Sequence, residues 1–146
     1  MAQWIETKLR YDKVMENGAV KKVNEPYLVD ALSFAEAEAR IIEEMRPYID
    51  GDFTVEAVKK AKIAEVFGSD SASRWWKIRV AFITINERTG IEKRDLTDFL
   101  VAGEDLENAL STFKQNMKGT LADYEVTAIT ETAIIDIFPE DLSNNK

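Results

Sequence analysis

Two stretches of this sequence combine aromatic and cationic residues at a spacing that could do chemistry. In Trp4-Ile5-Glu6-Thr7-Lys8-Leu9-Arg10-Tyr11, strand alternation places Ile5, Leu9 and Tyr11 on an inner side and Trp4, Lys8 and Arg10 on an outer one. In Arg74-Trp75-Trp76-Lys77-Ile78-Arg79-Val80-Ala81-Phe82 the same phase turns Ile78, Val80 and Phe82 inward and Trp75, Lys77 and Arg79 outward, with Arg74 adjacent. Flat rings stack on unpaired bases while cations follow the phosphates, which is how single-stranded nucleic acid is held without sequence readout. The competing reading makes the tryptophans seals of a sheet edge or of a contact between chains, with the cations as ordinary solvated positions.

Other candidates are weaker. Lys59, Lys60 and Lys62 could grip a phosphate or other anion, but such a run more often protects a sheet edge from pairing with other chains. Asp50-Gly51-Asp52 is short of the oxygen ligands a calcium loop needs and reads as a turn between helix and strand. Ser111 and Lys114 match S-x-x-K without its companion motifs, and helical spacing puts both opposite the Leu106-Leu110-Phe113 stripe. The chain has no His and no Cys, so imidazole-dependent nucleophiles, thiolate metal sites and disulfides are excluded. No catalytic residues, metal ligands or cofactors are assigned, and action by binding rather than enzymatic catalysis is expected.

The elements that must position these residues occur twice. Trp4–Tyr11 answers Trp75–Phe82, Tyr27-Leu28-Val29 answers Phe99-Leu100-Val101, Asp52–Val58 answers Asp123–Ile129, and Ile63–Phe67 answers Ile134–Phe138. Each copy reads strand, turn, strand, helix, long strand. Glycines at 18 and 90 suit hairpin turns, Ser33 with Glu36 and then Asp105 suit helix N-caps, and Pro47 ends the first helix. The closing segments 53–67 and 124–138 are too long for one flat strand, and their blurred phase near Lys59-Lys60 and Thr130-Glu131 predicts a bulge or bend. The expected fold is therefore α+β: a tandem duplication of a ββαβ unit forming a pseudo-symmetric antiparallel sheet system with two covering helices. It is read as a single domain of two repeats, 4–67 and 75–138, with a linker at 68–74 and a tail at 139–146. Read out of phase, 53–117 has the ββββα element order of Whirly and PUR-like nucleic-acid binders.

The segments Lys8-Leu9-Arg10-Tyr11, Glu25–Ala31, Glu36-Ala37-Glu38-Ala39 and Lys118–Tyr124 resemble a family of uncharacterised proteins of about 150 residues from gut bacteria and their phages. The resemblance spans nearly the whole chain, to about residue 139, and implies a compact intracellular domain without bringing an activity or a site. Over 146 residues, 27 acidic against 19 basic side chains leave a net charge of -8, which argues against a dedicated duplex-DNA binder and against acidic membranes. The N-terminus lacks a secretory pattern and no apolar run reaches membrane-spanning length, so a cytoplasmic location is expected. Three partners follow: single-stranded nucleic acid on the tryptophan-and-cation face, a small anionic or nucleotide ligand at a repeat or dimer interface, or protein, including a homo-oligomer formed through strand edges.

Overall fold

A computed structural model describes residues 3–68 and 73–139; most of the expected linker and all but the first residue of the expected tail lie outside the described residues. The alternating patterns at Gln3–Val14 (β1) and Val20–Ala31 (β2) form an antiparallel hairpin in continuous register from Gln3 opposite Ala31 to Val14 opposite Val20. Gly18 turns it with a φ of 85°, a conformation that costs a residue with a Cβ. Phe34–Met45 (α1) follows, with the Ser33 hydroxyl accepting from Glu36 N and the Glu36 carboxylate accepting from Leu32 N, so one orphan donor of the first turn and the N–H just before the cap are satisfied. Pro47 lies in a 3-10 turn over Arg46–Tyr48 that ends this helix, and Phe53–Lys60 (β3) and the short Glu65–Phe67 (β4) come next.

The second copy repeats this order. Trp75–Ile85 (β5) and Glu92–Ala102 (β6) form the hairpin, Leu106–Asn116 (α2) the helix, and Asp123–Glu131 (β7) and Asp136–Phe138 (β8) the closing strands. Asp105 caps α2 by accepting from Asn108 N, and the Asn108 amide oxygen accepts from Glu104 N. The protein is thus α+β, with two open four-stranded sheets, two helices, and a second half that resembles the first.

The closing segments depart from the sequence expectation. Neither is one bent strand: each stops at Lys60 or Glu131, and its last three-residue strand joins the sheet built mainly from the other copy. One compact unit runs to Ala61 and is completed by the chain from Ala133, giving the strand order β3-β1-β2-β8. The other spans Lys62–Thr132, with the order β4-β6-β5-β7. β8 lies parallel to β2 and β4 parallel to β6, so the sheets are not wholly antiparallel. In one copy Ala61 N donates to Trp4 O at the exit and Ala64 N to Asp98 O at the arrival; Thr132 N to Trp75 O and Ile135 N to Pro26 O are their counterparts. The expected ββββα block is split in the same way, because β3 belongs to the first sheet and β4–β6 to the second.

The bulges lie elsewhere in the same segments. Leu9 faces Val55 and Lys8 faces Ala57, leaving Glu56 as the extra residue; Val80 faces Val126 and Arg79 faces Ala128, leaving Thr127 extra.

Each helix covers one face of its sheet. In the first unit Ile5, Leu9, Tyr27 and Val29 pack with Ala37, Ile41 and Met45, and Thr7, fully buried among them, donates its hydroxyl to Tyr27 O at 3.1 Å. In the second, Trp76, Ile78, Val80, Phe99 and Val101 pack with Ala109, Phe113 and Met117. The borrowed strands carry large side chains into these cores: Phe138 stacks on Tyr27 at 5.9 Å between ring centres and Phe67 on Phe99 at 5.5 Å. The approach of α2 to β6 depends on Gly103, where a Cβ would come within 2.6 Å of Ala109 N and 2.7 Å of its Cα. Those are backbone atoms of the first helical turn and cannot swing aside. Gly103→Ala is therefore expected to destabilise the fold by roughly 1–3 kcal/mol, read as a lower urea midpoint.

Candidate anion-binding face

The face of each sheet away from its helix carries the residues singled out above. In the first unit Trp4, Lys8 and Arg10 share that face of β1, as their alternation requires, with Lys22 on β2 and Lys59 on β3. The face is graded. Leu28 is fully buried and Trp4 half-buried at one end, while Arg10 and Lys22 are exposed near the hairpin tip. Its ion pairs are long and open to solvent: Arg10 to Glu56 and Lys59 to Glu6, each 3.5 Å. Among the described residues Lys8 and Lys22 hold no ion pair. Beside the tip, Arg10, Asp12, Lys22, Asp52 and Thr54 line a polar cleft of about 160 Å³.

The second unit uses its cations differently. The Arg79 guanidinium lies 2.9 Å from Asp98, directly across the β5–β6 ladder, and Arg94 lies 2.6 Å from Glu125. Arg74 is committed three ways. It pairs with Glu131 at 2.8 and 2.9 Å, donates to Glu104 O and stacks 4.8 Å over the Trp76 ring. Its hydrogen bonds hold the Glu131 carboxyl below the usual range. Lys77 is half-buried without an ion pair.

Trp75 corrects the sequence expectation. It lies on the helix-distal side as the alternation requires, but it has no exposed surface, and its Nε1 lacks a hydrogen-bond partner. Its cross-strand partner Ala102 on the same face is buried as well, and the indole is unavailable to a base. The neighbouring Trp76 points into the helix-side core and donates to Gly103 O at 2.9 Å.

The remaining candidates are not brought together as ligand groups. Lys59 and Lys60 end the edge strand β3 and point to opposite faces, so they do not converge on one anion; Lys62 is exposed beyond the strand. Asp50 and Asp52 flank Gly51, whose φ is 85°, in the turn leading to β3. Ser111 and Lys114 lie on the exposed side of α2 along a shallow groove of about 360 Å³ with Leu110 and Lys118.

A polar cluster that the sequence analysis did not single out lies on the helix side of the first sheet. The Glu25 carboxylate accepts from the Tyr11 hydroxyl at 2.6 Å and the Tyr27 hydroxyl at 3.1 Å, and Lys13 approaches its other oxygen at 3.4 Å. The equivalent positions of the second copy are Phe82, Thr97 and Phe99. The fold therefore does not require the cluster. The signal was present in the aligned repeats, where two phenols and a carboxylate answer two phenyl rings and a threonine.

These features define a duplicated α+β protein whose two copies share a scaffold and differ in polar equipment. The chain belongs to the family described as Domain of unknown function (DUF4494), whose model matches residues 3–140. No curated protein and no solved structure matches it.

Burial, followed by the hydrogen bond and charge of Glu25, pushes the Tyr11 phenol up to about 12, and Tyr27 is raised further for the same kinds of reason. An unfolded tyrosine ionises near pH 10, so from there upward the unfolded chain binds fewer protons than the folded one and stability falls. Absorbance titration should show Tyr11 and Tyr27 ionising late, with a loss of stability between about pH 10 and pH 12 that Tyr11→Phe makes shallower.

Proposed function

We propose that this is a non-enzymatic binding protein that holds single-stranded nucleic acid on the helix-distal face of its first unit. The observation that carries the reading is the difference between the two copies. Lys8 and Lys22 are unpaired beside the loosely paired Arg10 and Lys59, whereas Arg74, Arg79 and Arg94 of the second unit are clamped by carboxylates at 2.6–2.9 Å. A long, exposed ion pair gives up its cation to a phosphate at little cost. Trp4, half-buried at one end of the face, supplies the stacking surface, and the cations toward the hairpin tip follow the backbone. With a net charge of -8 the chain is not steered to nucleic acid as a whole, so binding is local and salt-sensitive.

The polar cleft favours a second reading, a small anionic ligand such as a nucleotide. Arg10, Lys22 and the Thr54 hydroxyl would hold its charged group while Asp12 and Asp52 accept from donors on the same molecule. No described helix is long and apolar enough to cross a membrane, and we place the activity in the cytoplasm of a bacterial or phage-infected cell, as the resemblance to bacterial and phage proteins suggests.

Fluorescence polarisation with an unstructured oligonucleotide at two salt concentrations tests the first reading. Binding should weaken with salt, fall about tenfold in Lys8→Glu/Lys22→Glu and stay within about twofold of the parent in Lys77→Glu. Trp4→Ala should cost roughly 1–3 kcal/mol. Absence of oligonucleotide binding, together with a melting temperature raised by a mononucleotide, would move the assignment to the cleft.

A further inference from the structure

We infer that the two long sheet edges are complementary to each other and pair between copies of this chain, β3 of one molecule against β7 of the next. In each unit one edge is occupied by a three-residue strand, β8 or β4, and the other is a longer strand, β3 or β7, with no strand beyond it among the described residues. These edges are equivalents in the duplication, yet their charge has diverged in opposite directions. β3 ends on Lys59 and Lys60 and has Glu56 as its single acid; β7 carries Asp123, Glu125 and Glu131 and no base. Run antiparallel, Lys59 at the end of β3 falls on the same helix-distal face as Asp123 and Glu125 at the start of β7, while Lys60 points to the other face. Among the described residues Asp123 holds no ion pair, and Lys59 gives up only its exposed 3.5 Å contact with Glu6 to meet it.

Two further observations favour this partner over an arbitrary peptide. Phe53, Val55 and Val58 on β3, and Tyr124, Val126 and Ile129 on β7, are only partly buried against their cores, so a strand laid alongside would complete their burial. Each edge also carries a one-residue bulge at the same point, Glu56 or Thr127. A bulge deflects a flat incoming strand, which is how exposed edges are kept from indiscriminate pairing. The opposing edge has a matching irregularity at mid-strand, so it can follow the deflection. Because β3 meets β7 and not itself, the contact is heterologous: it grows into an open chain or closes into a ring.

Sedimentation velocity on the whole chain, without nucleic acid, tests the pairing. Association should rise with concentration through the micromolar range and weaken with salt. Lys59→Glu/Lys60→Glu and Asp123→Lys/Glu125→Lys should each be monomeric, and an equimolar mixture of the two should associate again, since reversed β3 then meets reversed β7. Circular dichroism confirms that each variant is folded, and Asp123→Lys alone, which breaks no ion pair, serves where the double change perturbs folding. A wild-type chain that stays monomeric at low salt, association indifferent to both reversals, or reversals that abolish association without rescue on mixing would overturn the inference.

Discussion

Each sheet depends on three residues supplied from the other repeat. β8 lies along β2 through Tyr27, Leu28 and Val29, and β4 along β6 through Phe99, Leu100 and Val101, both as parallel ladders. Their register matters because a one-residue slip would turn Phe138 and Phe67 away from Tyr27 and Phe99 and leave each helix-side core short of an aromatic ring. Arg40 reinforces the arrangement in the first unit by donating to Asp30 O on β2 and to Pro139 O just after β8. The exit and arrival hydrogen bonds are the same in both copies. The exchange is therefore built into the repeated unit and is not an accident of one half.

Duplication also supplies an internal comparison, separating what the scaffold needs from what one copy has added. Helix caps, the bulge, the buried alternation of β1 and β5 and the crossing segment occur twice and belong to the scaffold. The Tyr11–Glu25–Tyr27 cluster, the unpaired Lys22 and the open cleft occur once. At the site equivalent to the cleft the second copy has Ala81, Ile83 and a closed Arg94–Glu125 pair. A carboxylate holding two phenols on a sheet face otherwise buried under a helix requires its hydrogen bonds to be complete, since an unmet donor there costs more than the bond contributes. Its presence in one copy alone separates it from what the shared scaffold requires.

Much of this was legible in the residues. Strict alternation in β1 and β5, glycines 18 and 90 in the hairpins, Ser33 with Glu36 and the stop at Pro47 each follow from local physics, and the α+β class followed from their order. The failures came from non-local causes. The phase change after Lys60 and Glu131 was visible, but a sequence does not distinguish a strand that bends from one that leaves its sheet, since both interrupt the period of two. Alternation likewise placed Trp75 on the correct side but said nothing about whether that side is covered. Exposure is a property of packing, and the adjacent Trp75 and Trp76 show how a single strand can bury both of its faces. The Tyr11–Glu25 hydrogen bond was missed because tyrosine counts as apolar in a binary pattern while its hydroxyl does not behave so.

The crossing of short strands has a consequence for the history of such a chain. A lone repeat would end in a strand with no place in its own sheet and would present a sheet lacking that same strand. Two identical repeats would satisfy each other, as in a swapped pair, but only at concentrations high enough for them to meet. Joining them through a short linker turns that encounter into an intramolecular one, at an effective concentration on the order of millimolar for a short flexible connection. Once the union no longer depends on likeness between partners, the two halves are free to mutate apart. The divergence of charge and polar equipment seen between them is the freedom that fusion confers.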